Sequence, residues 1–212
     1  MTAAYDAVVF DFGGVYTASP FDAMKGAADE LGISHEHVLE LIFGSYEKDT
    51  DHPWHRAERG EIGLEACRDA IRDHAATQGI DLDLFEMLRH LASGGGVHEV
   101  VVEATRAIRG RGLKTGLLTN NVAEFAGLWR PLLPLDELFD VVVDSSAVGM
   151  RKPDAAIFLH TLELLGGIAP ERSIFLDDYA GNVAAAEAIG MTAILVQPDP
   201  TSALRRLDEL LC

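Results

Sequence analysis

The 212-residue sequence predicts a doubly wound α/β fold, a parallel sheet flanked by helices, with a smaller helical segment inserted after the first strand. Two observations predict the sheet, and a third predicts the insert. Short apolar runs at Ala7–Phe10, Lys114–Leu118, Phe139–Val143, Ser173–Leu176 and Thr192–Val196 have the length and composition of buried parallel strands. Polar residues and helix-like stretches follow them, as at Asp154–Leu165 and Ala180–Ile189, which is the alternation of right-handed crossovers. The alternation breaks once, where about a hundred residues separate the first run from the second and carry helical patterning only.

Taken in order, the insert's expected helices are Phe21–Leu31, His35–Phe43, Leu64–Gln78 and Leu82–Leu91. Gly94-Gly95-Gly96 reads as a flexible joint at its far end, and Ala18–Pro20 as the near one. The expected division is a core of residues 1–17 and 94–212, with residues 18–93 forming a helical cap above the carboxyl edge of the sheet. Gly110-Arg-Gly-Leu-Lys-Thr has a superficial likeness to a phosphate loop, but it precedes a strand and is better read as a helix stop.

Composition narrows the function. Hydrophobic residues make up 48% and charged residues 24%, an ordinary globular balance. Seventeen basic against 34 acidic side chains leave a net charge of −17, which repels nucleic acid and anionic membranes. The densest basic cluster, Arg106, Arg109, Arg111 and Lys114, is spread over a helix end. Cys67 and Cys212 cannot build a disulfide framework, and no apolar run approaches a membrane span, so the expected setting is cytoplasmic.

The expected strand ends carry Asp11, Thr119-Asn120, Asp144 and Asp177-Asp178, at the edge where open α/β sheets bind ligands. Each acid alone can be explained as a helix cap, and Asp144 is read that way. Together with Lys152 they supply the parts of phosphoryl transfer. Asp11 would attack phosphorus to form an aspartyl-phosphate. Mg²⁺ would offset the charge, held by Asp11, the backbone carbonyl of Gly13 and Asp178, with Asp177 holding a coordinated water. Thr119 and the backbone N–H of Asn120 would grip phosphate oxygens, and Lys152 would neutralise phosphate and nucleophile. Asn182 would either join the metal's outer shell or make a helix-turn hydrogen bond.

Four segments in order, Asp11-Phe-Gly-Gly-Val, Leu118-Thr-Asn-Asn, Gly149-Met-Arg-Lys-Pro and Phe175-Leu-Asp-Asp, resemble the motifs of the haloacid dehalogenase-like hydrolase superfamily over nearly the whole chain. The resemblance implies a Rossmann-like core, a small helical cap and, for most members, Mg²⁺-dependent phosphatase activity. It is nearest to the subgroup of epoxide hydrolase amino-terminal phosphatase domains and bacterial glucose-1-phosphate phosphatases. Arg59-Gly60-Glu61-Ile62 resembles a recurring cap segment.

Most phosphatases of that superfamily place a second Asp two residues after the nucleophile as general acid and base; here the position is Gly13. General acid–base help is worth roughly 100- to 10,000-fold. Members resembling the glucose-1-phosphate phosphatases share the glycine, and leaving groups that depart without a proton suffer least. Tyr16, His52 and His55 are the residues expected as substitutes. Trp54-His55-Arg56 is the expected substrate reader, with Trp for a ring and Arg for a second anion. The leading expectation is therefore a phosphatase of a small phosphorylated metabolite, such as a sugar phosphate. The alternatives are a 2-haloacid dehalogenase, which Asp177-Asp178 disfavours, and a non-catalytic phosphate-binding protein.

Overall fold

The computed structural model describes residues 5–92 and 96–212. Five parallel strands, β1 (Ala7–Phe10), β2 (Lys114–Thr119), β3 (Val141–Asp144), β4 (Ser173–Asp177) and β5 (Thr192–Leu195), form one sheet in the order β3-β2-β1-β4-β5. The helices are α1 (Pro20–Ala23), α2 (Lys25–Leu31), α3 (His35–Phe43), α4 (Pro53–Glu58), α5 (Leu64–Thr77), α6 (Leu84–Ala92), α7 (Glu99–Gly110), α8 (Ala126–Trp129), α9 (Leu135–Leu138), α10 (Ser145–Val148), α11 (Ala155–Leu164), α12 (Ala180–Ala188) and α13 (Thr201–Leu211). The doubly wound α/β fold expected from the apolar runs is the fold observed.

Strand alternation divides the core between two faces. Val8 and Phe10 pack with Val101, Ile108 and Leu207 of α7 and α13, whereas Ala7 and Val9 pack with Ile157, Phe158 and Ala186 of α11 and α12. All four β1 residues are buried, as a central parallel strand requires. The basic cluster is neutralised where it stands: Arg106 pairs with Glu137, Arg109 and Lys114 with Asp140, and Arg111 donates to the Leu211 carbonyl. No helix among the described residues is long and apolar enough to cross a membrane.

Residues 20–92 are helical and assemble an apolar cluster of their own around Val38, Leu41, Ile42, Ile71 and Leu84. Ser34 starts α3 where its side chain accepts from the His37 amide, and Gly44 ends it. The expected helix over Phe21–Leu31 is two pieces broken at Met24, and α4, absent from the expected set, begins at Pro53 behind the His52 cap. Several contacts tie this segment to the rest of the fold, three of them as follows. Arg151 donates to Glu58, the Leu64 amide at the start of α5 donates to Glu124, and Gly60 lies against the Ser146 carbonyl. A Cβ at Gly60 would come within 2.4 Å of that oxygen, and its φ of +68° disfavours other residues in any case. Gly94 and Gly95 of the expected joint lie outside the described residues.

Candidate active site

Register brings the strand-end acids together. Phe10 is level with Leu117 on β2 and Leu176 on β4, so Asp11 emerges beside Asp177, and its amide donates to the Leu176 carbonyl. Asp11, Asp177 and Asp178 each offer a carboxylate oxygen within 4.8 Å of the others. Lys152 reaches the same point from the loop after α10. Its Nζ lies 2.8 Å from Asp11 Oδ1 and 2.7 Å from Asp177 Oδ2, with the side chain 1% exposed. Asn120 holds that loop in place. Its Nδ2 donates to the Lys152 carbonyl at 2.9 Å and its Oδ1 accepts the Lys152 amide at 2.8 Å.

Each acid is held differently. Asp11 Oδ1 also accepts the Phe12 amide at 2.7 Å, which fixes the carboxylate plane. Asp177 is fully buried and saturated: the Tyr179 amide and Asn182 Nδ2 donate to it in addition to Lys152. Asp178 rests in a notch that only glycine can provide. A Cβ on Gly14, whose φ is +73°, would fall 2.0 Å from Asp178 Oδ2. The backbone at Gly13, in contrast, is outside the left-handed region, and a side chain there would meet Pro20 Cδ at 3.3 Å. Crowding by Pro20 is the constraint at position 13.

Three carboxylates crowd around one ammonium, which pairs with two of them. Burial, together with the charges of Asp177 and Asp178, pushes Asp11 well above the ordinary carboxylate range despite Lys152. Burial and then Asp177 push Asp178 up to about 6, against a hydrogen bond from Ser19. Burial alone would lower Lys152, but Asp11 and Asp177 more than offset it and hold the ammonium charged. Asn182 lines the cavity beside these acids, and its Oδ1 is buried with no hydrogen-bond partner among the described residues. Hard oxygen donors, surplus negative charge and an unsatisfied acceptor fit a divalent cation with its waters.

The cavity measures about 50 Å³ and is bounded by Asp11, Gly13, Thr119, Asn120, Lys152 and Asp178 from the sheet, with Pro20, Phe21 and Tyr46 closing it. Thr119, Asn120, Lys152 and the three acids are thus brought together. Trp54, His55 and Arg56 are not. The Trp54 ring packs on Phe43 inside the helical segment, and its Nε1 donates to Glu58 at 2.9 Å. His55 is buried, takes the Thr50 amide on Nδ1, and is lowered to about 3 by burial and then Arg151. Arg56 is 45% exposed and pairs with Glu61. The substitutes expected for the missing acid also lie elsewhere. Tyr16 is buried against Thr105 in the sheet core, and His52 caps α4, lowered to about 4 by burial. Asp144 caps α10 as expected, accepting from the Ser146 amide.

Sequence reasoning missed Tyr46, Glu58 and Arg151. Glu58 Oε1 accepts the Tyr46 hydroxyl at 2.6 Å and Trp54 Nε1, while Oε2 accepts Arg151 Nε at 2.7 Å. A helix-period reading could have flagged Glu58, since it lies four residues after Trp54 on an otherwise apolar face.

The geometry agrees with the family comparison: the family model for haloacid dehalogenase-like hydrolase matches residues 5–190. The chain belongs to this family. A Mycobacterium tuberculosis protein named as a phosphatase is 40% identical over 90% of the chain and 86% of its own length. Mouse acyl-CoA dehydrogenase family member 10 is 31% identical and rat bifunctional epoxide hydrolase 2 is 29% identical, over 98% and 95% of this chain. The chain spans only 19% and 38% of those two longer proteins. A solved HAD-like hydrolase of Porphyromonas gingivalis superposes with a TM-score of 0.69 at 23% identity, covering 97% of this chain and 98% of that one. This haloacid dehalogenase-like hydrolase thus has relatives named as phosphatases.

Proposed function

We propose that the protein is a phosphoric monoester hydrolase that acts on a small phosphorylated metabolite, with Mg²⁺ as cofactor. The observation that carries the reading is the charge arrangement: Lys152 is shared by Asp11 and Asp177, and Asp178, whose carboxylate lies within 4.8 Å of both acids, has no cationic partner among the described residues. A 2-haloacid dehalogenase attacks carbon with the same carboxylate and needs no metal, so the surplus negative charge would oppose its anionic substrate. The phosphatase names among the relatives point the same way.

Asp11, the Gly13 carbonyl and Asp178 would hold Mg²⁺, with Asp177 and Asn182 steadying its waters. When bound, the ion offsets phosphate and carboxylate charge and so permits an anion to approach an anion. The Asp11 carboxylate attacks phosphorus, forming an O–P bond as the ester P–O bond breaks, and the leaving oxygen takes its proton from solvent. Thr119, the Asn120 amide and the Lys152 ammonium bind the phosphoryl oxygens and stabilise the charge that develops. Water then attacks the phosphorus of the aspartyl-phosphate, releasing phosphate and restoring Asp11. Because neither Gly13 nor any expected substitute supplies a proton at the leaving oxygen, esters of acidic alcohols and phenols react fastest. The helical segment 18–93 serves as the cap that shields the phosphoenzyme from bulk water.

The test is turnover of p-nitrophenyl phosphate with Mg²⁺, with EDTA, and by Asp11→Asn. Activity that requires Mg²⁺ and falls more than about a thousandfold in Asp11→Asn, the scale of losing a nucleophile, supports the reading. Undiminished activity in EDTA or in the variant overturns it.

A further inference from the structure

A second cavity of about 390 Å³ adjoins the catalytic one, sharing Phe21, Tyr46 and Asp178 as walls. That volume is near the lower end of small-molecule sites. Its apolar lining comes from both sides of the molecule: Phe21, Leu39, Phe43 and Tyr46 from the helical segment, Tyr179 and Val196 from the sheet's carboxyl edge. Four of these are aromatic and brace one another edge to face or tilted, Phe21 at 4.9 Å from Tyr46 and 5.5 Å from Tyr179, and 5.8 Å from Phe43. The Tyr46 hydroxyl, tied to Glu58 and Trp54, cannot turn inward. The wall is therefore preformed.

The polar groups along this cleft are largely committed to the protein. Asp22 pairs with Lys25, His98 Nδ1 bonds the Val15 carbonyl, the Thr17 hydroxyl donates to the Ala18 carbonyl, and Ser19 bonds Asp178. Of the carboxylates at its edge, Asp22 is paired with Lys25 and Asp178 would be taken by the cation, and no Lys or Arg lines the cleft among the described residues. A sugar would find Gln197 and few other hydrogen-bond partners here, and a second anion would find no cation to pair with. An apolar group would find aromatic faces that water wets poorly.

We infer that this cleft is the leaving-group subsite and that the substrate is the monophosphate of an uncharged, apolar alcohol or phenol. The inference rests on the phosphatase reading and specifies its substrate class, in place of the sugar phosphate expected from sequence. The phosphoryl group occupies the small cavity beside Asp11, and the hydrocarbon runs past Asp178 along the wall formed by Phe21 and Tyr179.

The experiment compares kcat/KM of the Mg²⁺-loaded protein for n-alkyl phosphates from ethyl to octyl with glycerol 3-phosphate, phosphoglycolate and choline phosphate. Calorimetry of ethyl- and octylphosphonate, which are not hydrolysed, runs beside it. Each methylene should raise kcat/KM by up to about fourfold until the cleft is full, the equivalent of ~0.8 kcal/mol per buried CH₂. The charged esters should fall at least tenfold below hexyl phosphate. Leu39→Trp, which narrows the cleft, should cut the octyl-to-ethyl ratio at least tenfold, and Leu39→Ala should lower the same ratio by a smaller factor, which keeps the test open if the tryptophan variant does not fold. A flat alkyl series, or a charged ester as best substrate, overturns the inference while leaving the phosphatase reading intact. Conversely, absence of turnover with every ester, alongside octylphosphonate binding at least tenfold tighter than ethylphosphonate, retains the subsite and removes the phosphatase reading.

Discussion

Arg151 and Lys152 are neighbours in the chain, both cationic and both buried, yet they serve opposite purposes. Lys152 points to the sheet edge, where two acids share its ammonium and a third has no cation. Arg151 points into the helical segment, where Glu58 takes its Nε, Asp49 lies 3.5 Å from Nη1 and the Tyr46 ring sits 4.9 Å from its guanidinium carbon. One network carries surplus negative charge and borders a cavity; the other balances its charge through Arg59, which also pairs with Asp49, although both terminal nitrogens of Arg151 lack hydrogen bonds among the described residues. The difference teaches that burial of a charge says little about its role until its partners are counted. Surplus charge marks a place where something else must bind, whereas a closed count marks a structural tie.

The comparison breaks most sharply at Lys152. Lys152→Ala should lower turnover of p-nitrophenyl phosphate by about 100- to 1000-fold, the ~2.7–4 kcal/mol of a lost charge-stabilising donor. A drop of tenfold or less, in a variant whose melting curve shows it folded, would make Lys152 a structural residue like its neighbour. Arg151→Met should act on stability instead, because it strands the buried carboxylate of Glu58, whereas Asp49 keeps Arg59. Removing one partner of a buried pair costs ~3–5 kcal/mol, or roughly 6–20 °C in Tm for a chain of this size. Turnover at a temperature where the variant is folded should fall less than in Lys152→Ala, and the reverse ranking would exchange the two roles.

A smaller effect follows from Asp178. Its pKa, raised to about 6 from the ordinary 3.8, means that the folded protein keeps a proton the unfolded chain has released. Metal-free stability contributed by this group is therefore greatest below about pH 4 and declines as pH rises through roughly 6. Millimolar Mg²⁺ should raise Tm more at pH 7 than at pH 5, since the charged carboxylate is the form that binds. An equal rise at both values would put the cation away from Asp178. Smallest of all is Arg56→Ala. An exposed pair such as Arg56–Glu61 is worth ~0–1 kcal/mol, so both Tm and kcat/KM should barely move. A tenfold loss of kcat/KM would bring Arg56 to the substrate after all.

The reactive edge was legible because it is built from short sequence. Strand runs of four to six residues end at Asp11, Thr119, Asp144 and Asp177, and parallel register alone lines those ends up. The cleft was not legible. Trp54 read as a substrate contact because an aromatic beside His and Arg often is one, but Glu58 one turn later draws its Nε1 inward, and Tyr46 presents the ring that lines the cavity. Gly13 stood out in the sequence as the position of the missing acid, whereas the close approach of Asp178 makes Gly14 the position that admits no side chain.

The amino-acid order settled the strand sequence, the family and the set of acids and lysine at the sheet's edge, since each depends on periodicity or on residues next to one another. Folding in three dimensions chose which of two adjacent cations would meet Asp11 and which would meet Glu58, 93 positions away. It also chose which aromatic rings would line the space beside Asp11. Those choices belong to contacts between distant segments, where burial, charge and steric fit act at once and no local pattern records the outcome.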